Sequence, residues 1–245
     1  MLPIGFDMAG VLFPLFFIAV VGFMIFAAIR GYKAAQRRQA AIAALVAANG
    51  WRLVSEDPTR AELFASPPFG TGDSRRARSI IWGTIGDRSF ETFAYSYETH
   101  TTDSKGHRST TTHHFQVTWV PLTGPLATMR FTSDNAFLRA ATKLGARDLN
   151  VESHEFNQRW KVWCEDERAG HGVLTPRMIE RFLQPDLGGR GVVIEGPCLM
   201  TYTQGQSDLT DLSQTVGLLH EIADLIPPFL FEPGNDAPAG GSATR

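Results

Sequence analysis

Residues 88–97, RSFETFAYSY, carry the alternating pattern that decides the fold. Three aromatic side chains alternate with small or polar ones, so they share one face of an extended strand: Phe93, Tyr95 and Tyr97. The preceding stretch, residues 77–85, leads into Gly86-Asp87, a two-residue turn in which glycine can supply the positive φ. Together the two stretches predict an antiparallel hairpin with one aromatic face.

The aromatic face continues in a third strand, where the same alternation recurs in Phe115, Val117 and Trp119. Pro121 marks the expected end of that strand, and Gly196-Pro197 predicts the turn of a second hairpin. Near the carboxyl end, residues 209–226 repeat apolar side chains at intervals of three and four, which is typical of an amphipathic helix. The sequence therefore predicts an α+β fold, an antiparallel sheet domain packed with amphipathic helices.

An apolar run near the amino terminus predicts a different kind of element. Residues 11–29, VLFPLFFIAVVGFMIFAAI, hold no charged, amide or hydroxyl side chain. About 20 such residues, each rising about 1.5 Å, are long enough to cross a hydrocarbon core of roughly 30 Å. We therefore expect one N-terminal transmembrane helix. A signal peptide and a buried core helix fit less well, because the first ten residues carry only Asp7 where a signal peptide has basic residues.

Basic residues follow this run and none precedes it: Arg30, Lys33, Arg37 and Arg38. The positive-inside bias predicts a single-pass protein of the cell membrane, with the amino terminus outside and the C-terminal domain in the cytoplasm. These membrane-surface residues would also lie where anionic lipid headgroups attract them. An ordinary topology signal without lipid specificity is the open alternative.

The composition predicts four segments: a transmembrane anchor at residues 1–30, a juxtamembrane basic helix at 31–50, a single cytoplasmic α+β domain at 51–232 and a disordered tail at 233–245. A formal net charge of -2 gives no overall reason to expect a nucleic-acid partner. Cys164 and Cys198 lie far apart in the sequence and are expected to be reduced core residues. Within the domain, Ser133 should cap a further helix that carries Phe137, Leu138, Ala141 and Leu144.

Residues 99–114, THTTDSKGHRSTTTHH, concentrate four of the seven histidines. Imidazole and carboxylate groups bind zinc, so the candidates for a metal site are His100, His107, His114 and Asp103. The spacing matches no finger, ribbon or zincin pattern, and the polar composition favours a flexible loop instead. No cofactor is predicted. Elsewhere, His220-Glu221 lacks the second histidine of a zincin motif.

The chain also resembles an uncharacterised bacterial family, the domain of unknown function 3137, and its short single-pass relatives. The elements that carry the resemblance are Glu155-Phe156, Val162, Glu165-Asp166, the run LTPRM at residues 174–178, Phe69-Gly70 and the strand FETFAYSY. The similarity extends over residues 50–230. It implies a membrane-anchored bacterial protein of unknown function and supplies no catalytic residues.

These features favour a membrane-tethered cytoplasmic binding or scaffolding module over an enzyme. The sequence holds no nucleophile elbow, no complete metal motif and no phosphate-binding loop. The expected partners are the lipid bilayer, its anionic headgroups and an unknown protein. The alternative is a metal-dependent hydrolase that uses the His-rich segment, because catalytic groups from distant positions leave no local sequence trace.

Overall fold

A computed structural model of the chain describes residues 8–133 and 148–232, with side chains for residues 20–133 and 149–232. The chain divides into two compact units. Helix α1 (Met8–Asn49) belongs to the first, and the second begins at Gly50. The helix predicted after Ser133, with Phe137, Leu138, Ala141 and Leu144, and the tail predicted at 233–245 lie outside the described residues.

The second unit is a mostly antiparallel sheet with short helices beside it. In chain order, its described elements are β1 (Arg52–Glu56), β2 (Asp73–Ile85), β3 (Arg88–Thr102), β4 (Arg108–Ser133), β5 (Asp148–Leu149), α2 (His154–Arg159), β6 (Trp160–Cys164), α3 (Glu167–Val173), α4 (Pro176–Phe182), β7 (Gly191–Gln204) and α5 (Leu212–Leu225). Single 3-10 turns occur at Pro58–Glu62, Pro185–Leu187 and Pro228–Phe231.

Strand β4 organises the sheet, whose order is β1-β2-β3-β4-β6-β5, with β7 also paired to β4. Its first half lies between β3 and β7, and its second half lies between β6 and β7. The β4–β7 register shifts between Pro121 and Leu126, which stands opposite Gly196. The strand end predicted at Pro121 and the hairpin predicted at Gly196-Pro197 are therefore wrong, because both strands continue through an irregular bend.

The aromatic face predicted from the sequence is the core of this unit. Its side chains are buried, with Trp119 only partly so: Phe93, Tyr95, Tyr97, Phe115, Val117 and Trp119. Residues 57–72, which we call the strap, cross this face and bury Phe64 and Phe69 against it. The ring centroids of Phe69 and Tyr95 lie 4.3 Å apart. The strap thus covers aromatic side chains that would otherwise face solvent.

Two carboxylates of the sheet bind polar groups of the strap. Glu91, on β3, is buried and lies 2.8 Å from Arg60 Nε of the strap, while Trp82 Nε1 donates a hydrogen bond to its other oxygen. Glu195, on β7, accepts hydrogen bonds from the backbone N–H groups of Ala65 at 2.7 Å and Ser66 at 3.0 Å. Burial raises the pKa of Glu91, and the nearby Arg60 opposes that rise.

The opposite face of the sheet is covered by α5, which contacts β4, β7 and α4. The apolar stripe predicted from the sequence is buried there, including Leu212, Val216 and Leu219. Between helix and sheet, the hydroxyls of Thr92 and Thr118 are buried and hydrogen bonded at 2.8 Å. Both faces of the central sheet are therefore closed.

The predicted N-terminal transmembrane helix is wrong. Within the part of the chain that the structure describes, no helix combines the length and apolar character that a membrane crossing requires. Helix α1 has 42 residues, and from Arg30 onward it carries charged and polar side chains that a hydrocarbon core excludes. The single-pass topology, the cell-membrane localisation and the cytoplasmic tethering inferred from that helix are corrected with it.

Candidate ligand-binding site

The His-rich segment is an ordered β-hairpin. Strands β3 and β4 pair without interruption from Glu98 opposite Thr112 to Thr102 opposite Arg108. We call residues 98–112 the hairpin arm. Its turn is closed by Asp103, whose Oδ1 accepts backbone hydrogen bonds from Lys105 at 2.9 Å and His107 at 2.8 Å. The bond from the His107 N–H is the main reason that the pKa of Asp103 lies below its ordinary value.

The structure brings only two of the four predicted metal ligands together, His107 and Asp103. His107 Nδ1 lies 3.2 Å from Asp103 Oδ2 in the turn, and His100 Nδ1 lies 2.9 Å from Thr110 Oγ1 across the arm. His114 stands opposite Ser96, farther along the ladder. Among residues 8–133 and 148–232, no three His, Cys, Asp or Glu side chains form a group that would hold a metal ion.

The basic residues predicted at the membrane surface lie on α1. Arg30, Lys33 and Arg37 are exposed, and Arg38 is partly buried. Their spacing of three and four places the exposed cations along one stripe of the helix. Large apolar side chains precede the stripe and are 49–72% exposed: Phe23, Met24, Ile25, Phe26 and Ile29.

A polar pocket of about 290 Å³ lies where the turn between β2 and β3 meets the bend of β4 and the end of α5. Four distant segments of the chain build it, and its lining includes Asp87, Arg88, Ser89, Thr123, His220, Asp224 and Phe231. The last of these packs beside the backbone of Gly124, where an added Cβ would lie 3.4 Å from the Phe231 side chain, an ordinary van der Waals distance.

An ion pair organises the polar pocket. Arg88 Nη1 lies 2.8 Å from Asp224 Oδ2, and the same nitrogen donates a long hydrogen bond of 3.5 Å to the backbone oxygen of His220. The hydrogen bond with Asp224 raises the pKa of Arg88, so the guanidinium stays charged. Arg88 therefore already has a carboxylate partner, which leaves it less free to pair with an anionic ligand.

His220 presents the unsatisfied polar group of the pocket. Its Nε2 is buried and has no hydrogen-bond partner among the described residues. Burial is the larger cause of a lowered pKa at His220, and Arg88 lowers it further. A neutral imidazole nitrogen can donate or accept one hydrogen bond, depending on the tautomer. The protein therefore leaves one polar atom of this pocket-lining side chain without a hydrogen bond.

A second depression, of about 520 Å³, adjoins the first and shares Asp224 with it. We call it the proline groove, since its lining is mainly apolar: Thr175, Pro176, Arg177, Asp224, Leu225, Ile226, Pro227 and Pro228. The local sequence explains its walls. Thr175 caps α4 through a hydrogen bond to the Met178 N–H, with Pro176 at the first helical position, and Pro227-Pro228 ends α5.

Sequence reasoning did not identify this site. His220 was considered only as half of a zincin motif, and Asp87 only as a turn residue. The sequence feature that marks the site is Pro227-Pro228, which ends an amphipathic helix. Nothing in the sequence shows that this stop meets the β2–β3 turn in space.

Comparisons with known proteins identify a shared fold. No protein-family profile matches the chain, and no curated protein matches it. The resemblance to the domain of unknown function 3137 stays a prediction. Among solved structures, the chain is similar to the mycobacterial trehalose monomycolate transport factor A, with 12% identity and a TM-score of 0.56. The match covers 81% of this chain and 96% of that protein. At this identity the likeness establishes the fold alone.

Proposed function

We propose that the chain is a lipid-related binding module that holds an amphiphile in the site around Asp224. The observation that carries the proposal is the adjacency of a hydrogen-bonding pocket and an apolar groove, which share that one residue. A polar head would occupy the polar pocket and an apolar chain would lie along the proline groove. The neighbour of the same fold, named for the transport of trehalose monomycolate, is consistent with a lipid-related role.

The charges of the polar pocket favour an uncharged head. Its lining has two carboxylates, Asp87 and Asp224, against one guanidinium, Arg88. An anionic head would meet this excess of negative charge, while the imidazole of His220 and the hydroxyls of Ser89 and Thr123 can bond to neutral hydroxyl groups. Neutral, hydroxyl-bearing heads therefore fit the site best.

The test uses two probes with the same chain: monolauroylglycerol, which has a neutral diol head, and lauric acid, which is anionic at neutral pH. Isothermal titration calorimetry of the full chain should show tighter binding of monolauroylglycerol. His220→Ala should weaken that binding about tenfold, since one hydrogen bond in a buried site contributes about 1.4 kcal/mol. Binding of lauric acid should change less.

A matched pair of variants separates the groove from other apolar surfaces, including α1. Leu225→Asp places a charge in the proline groove, whereas Gln214→Asp places the same charge on an exposed position of the same helix. Leu225→Asp should abolish binding of both probes to the domain, and Gln214→Asp should leave it unchanged. Equal binding by the two variants would refute the proposed site.

A further inference from the structure

The hairpin arm has a strand edge that no described residue covers. Strand β7 follows β4 only as far as Gln204 opposite Phe115, and the next contact is the Gly205 N–H donating to the His114 oxygen at 2.8 Å. Beyond that point, the arm contains only β3 and β4 among the described residues. On the β4 side of the arm, the edge formed by residues 108–112 therefore has no partner strand among the described residues.

Strand parity identifies which backbone groups face this open edge. The Asp103 N–H bonds to the His107 oxygen at 3.0 Å, so that pair and every second pair along the ladder bond across the arm. The alternate pairs point outward, as the bond from Gly205 to His114 confirms. On β4 the outward N–H and C=O groups consequently belong to Arg108, Thr110 and Thr112.

Apart from the charge of Arg108, this edge lacks the features that usually protect edge strands. Residues 108–113, RSTTTH, contain no proline and no lysine, and the three consecutive threonines are β-branched residues that favour extended structure. An exposed edge of this kind is a template for another strand.

We propose that this edge pairs with the same edge of a second copy of the chain. An antiparallel pairing centred on Thr110 sets Arg108 of each copy opposite Thr112 of the other and would form about six backbone hydrogen bonds. Glu98 lies on the other side of Thr112, on the same face. Each Arg108 side chain can then reach across Thr112 to the Glu98 of the other copy. This charge complementarity favours a second copy of the chain as the partner of the edge.

Disulfide cross-linking of the full chain tests the pairing by position, which separates it from any association through the exposed apolar side chains of α1. At the centre of the pairing the two copies of residue 110 stand directly opposite, with Cα atoms about 5.5 Å apart, a distance that suits a disulfide. Residue 111 points to the other face and has no such partner. In a glutathione redox buffer, Thr110→Cys should form dimers at least tenfold faster than Thr111→Cys. The unaltered chain, with Cys164 buried and Cys198 partly exposed, gives the background rate.

Edge variants in the Thr110→Cys background complete the test. Thr112→Pro removes an outward N–H and should slow cross-linking at least tenfold, whereas His100→Pro removes an outward N–H from the opposite edge and should have no effect. Arg108→Glu should also slow cross-linking, and adding Glu98→Arg should restore it. Equal rates for Thr110→Cys and Thr111→Cys, or equal effects of the two proline variants, would overturn the proposal.

Discussion

Arg60→Ala should destabilise the chain more than its position on the surface suggests. The substitution removes the guanidinium that lies 2.8 Å from Glu91, a side chain that is 3% exposed. Breaking one partner of a buried ion pair costs about 3 to 5 kcal/mol, because the other charge stays buried without compensation. Arg60 keeps 27% of its own side chain exposed, so we expect about 3 kcal/mol, the lower end of that range.

The loss should depend on pH in a defined direction. Burial raises the pKa of Glu91 above its ordinary value of 4.5. The carboxyl is therefore neutral more readily in the folded chain, and its contribution to stability is fully present below pH 4.5 and is lost as pH rises through the raised pKa. Removing Arg60 takes away the main influence that lowers this pKa. The destabilisation by Arg60→Ala should consequently be small near pH 4 and largest at neutral pH.

Urea unfolding at several pH values, combined with Glu91→Gln in a double-mutant cycle, measures the effect. Glu91→Gln removes the buried charge, so Arg60→Ala should cost much less in that background than in the unaltered chain. The pH dependence of the Arg60→Ala loss should also disappear. An Arg60→Ala loss that is the same at pH 4 and pH 8, or that is undiminished by Glu91→Gln, would refute this account of the strap.

Two further predictions concern α1 and the glycines of the fold. Vesicles that contain anionic lipid should bind the full chain in a sedimentation assay more strongly than neutral vesicles, and changing Arg30, Lys33 and Arg37 together to Ala should remove the difference if the basic stripe recognises headgroups. Gly191→Ala should lower the free energy of unfolding by about 1 to 3 kcal/mol, because the new Cβ would lie 2.3 Å from the Tyr202 ring. Gly217→Ala, in α5 with nothing within 4 Å, should raise it by about 0.5 to 1 kcal/mol in the same urea titration.

The parts of the fold that the sequence predicted are those with short-range patterns. The alternation of Phe93, Tyr95 and Tyr97 identified the buried face, because a strand repeats every two residues and burial of one face follows directly. The spacing along residues 209–226 identified the stripe that α5 buries for the same reason. Such signals need no knowledge of the rest of the chain.

The predictions drawn from prolines and from polar composition were wrong where pairing between distant strands overrides the local conformational preference. Pro121 and Pro197 suggested strand ends. The β4 and β7 strands instead bend together where their register is irregular. The N–H group that each proline lacks therefore falls where the ladder of hydrogen bonds is already interrupted. The His-rich segment suggested a flexible loop. It forms the arm instead because its threonines favour extended structure and Asp103 closes the turn.

The candidate site could not have been predicted, because its polar groups come from three separate segments. Asp87 and Arg88 belong to one turn, Thr123 to the bend of β4, and His220 and Asp224 to α5. Only the long-range pairing of β3 with β4, and the packing of α5 on β4, bring them together. The apolar run at residues 11–29 predicted a membrane span from hydropathy alone, and within residues 8–133 and 148–232 no helix is both long and apolar enough for one.

Strand β3 connects the proposed binding site to the proposed pairing edge and keeps them apart. It begins at Arg88 in the polar pocket and ends at Thr102 at the tip of the arm. Fifteen residues at about 3.3 Å each separate the two ends by about 45 Å. Two copies paired through residues 108–112 would therefore hold their pockets at the far ends of a continuous sheet, open to ligand. It follows that Thr112→Pro should leave the affinity for monolauroylglycerol unchanged, and Leu225→Asp should leave the cross-linking of Thr110→Cys unchanged.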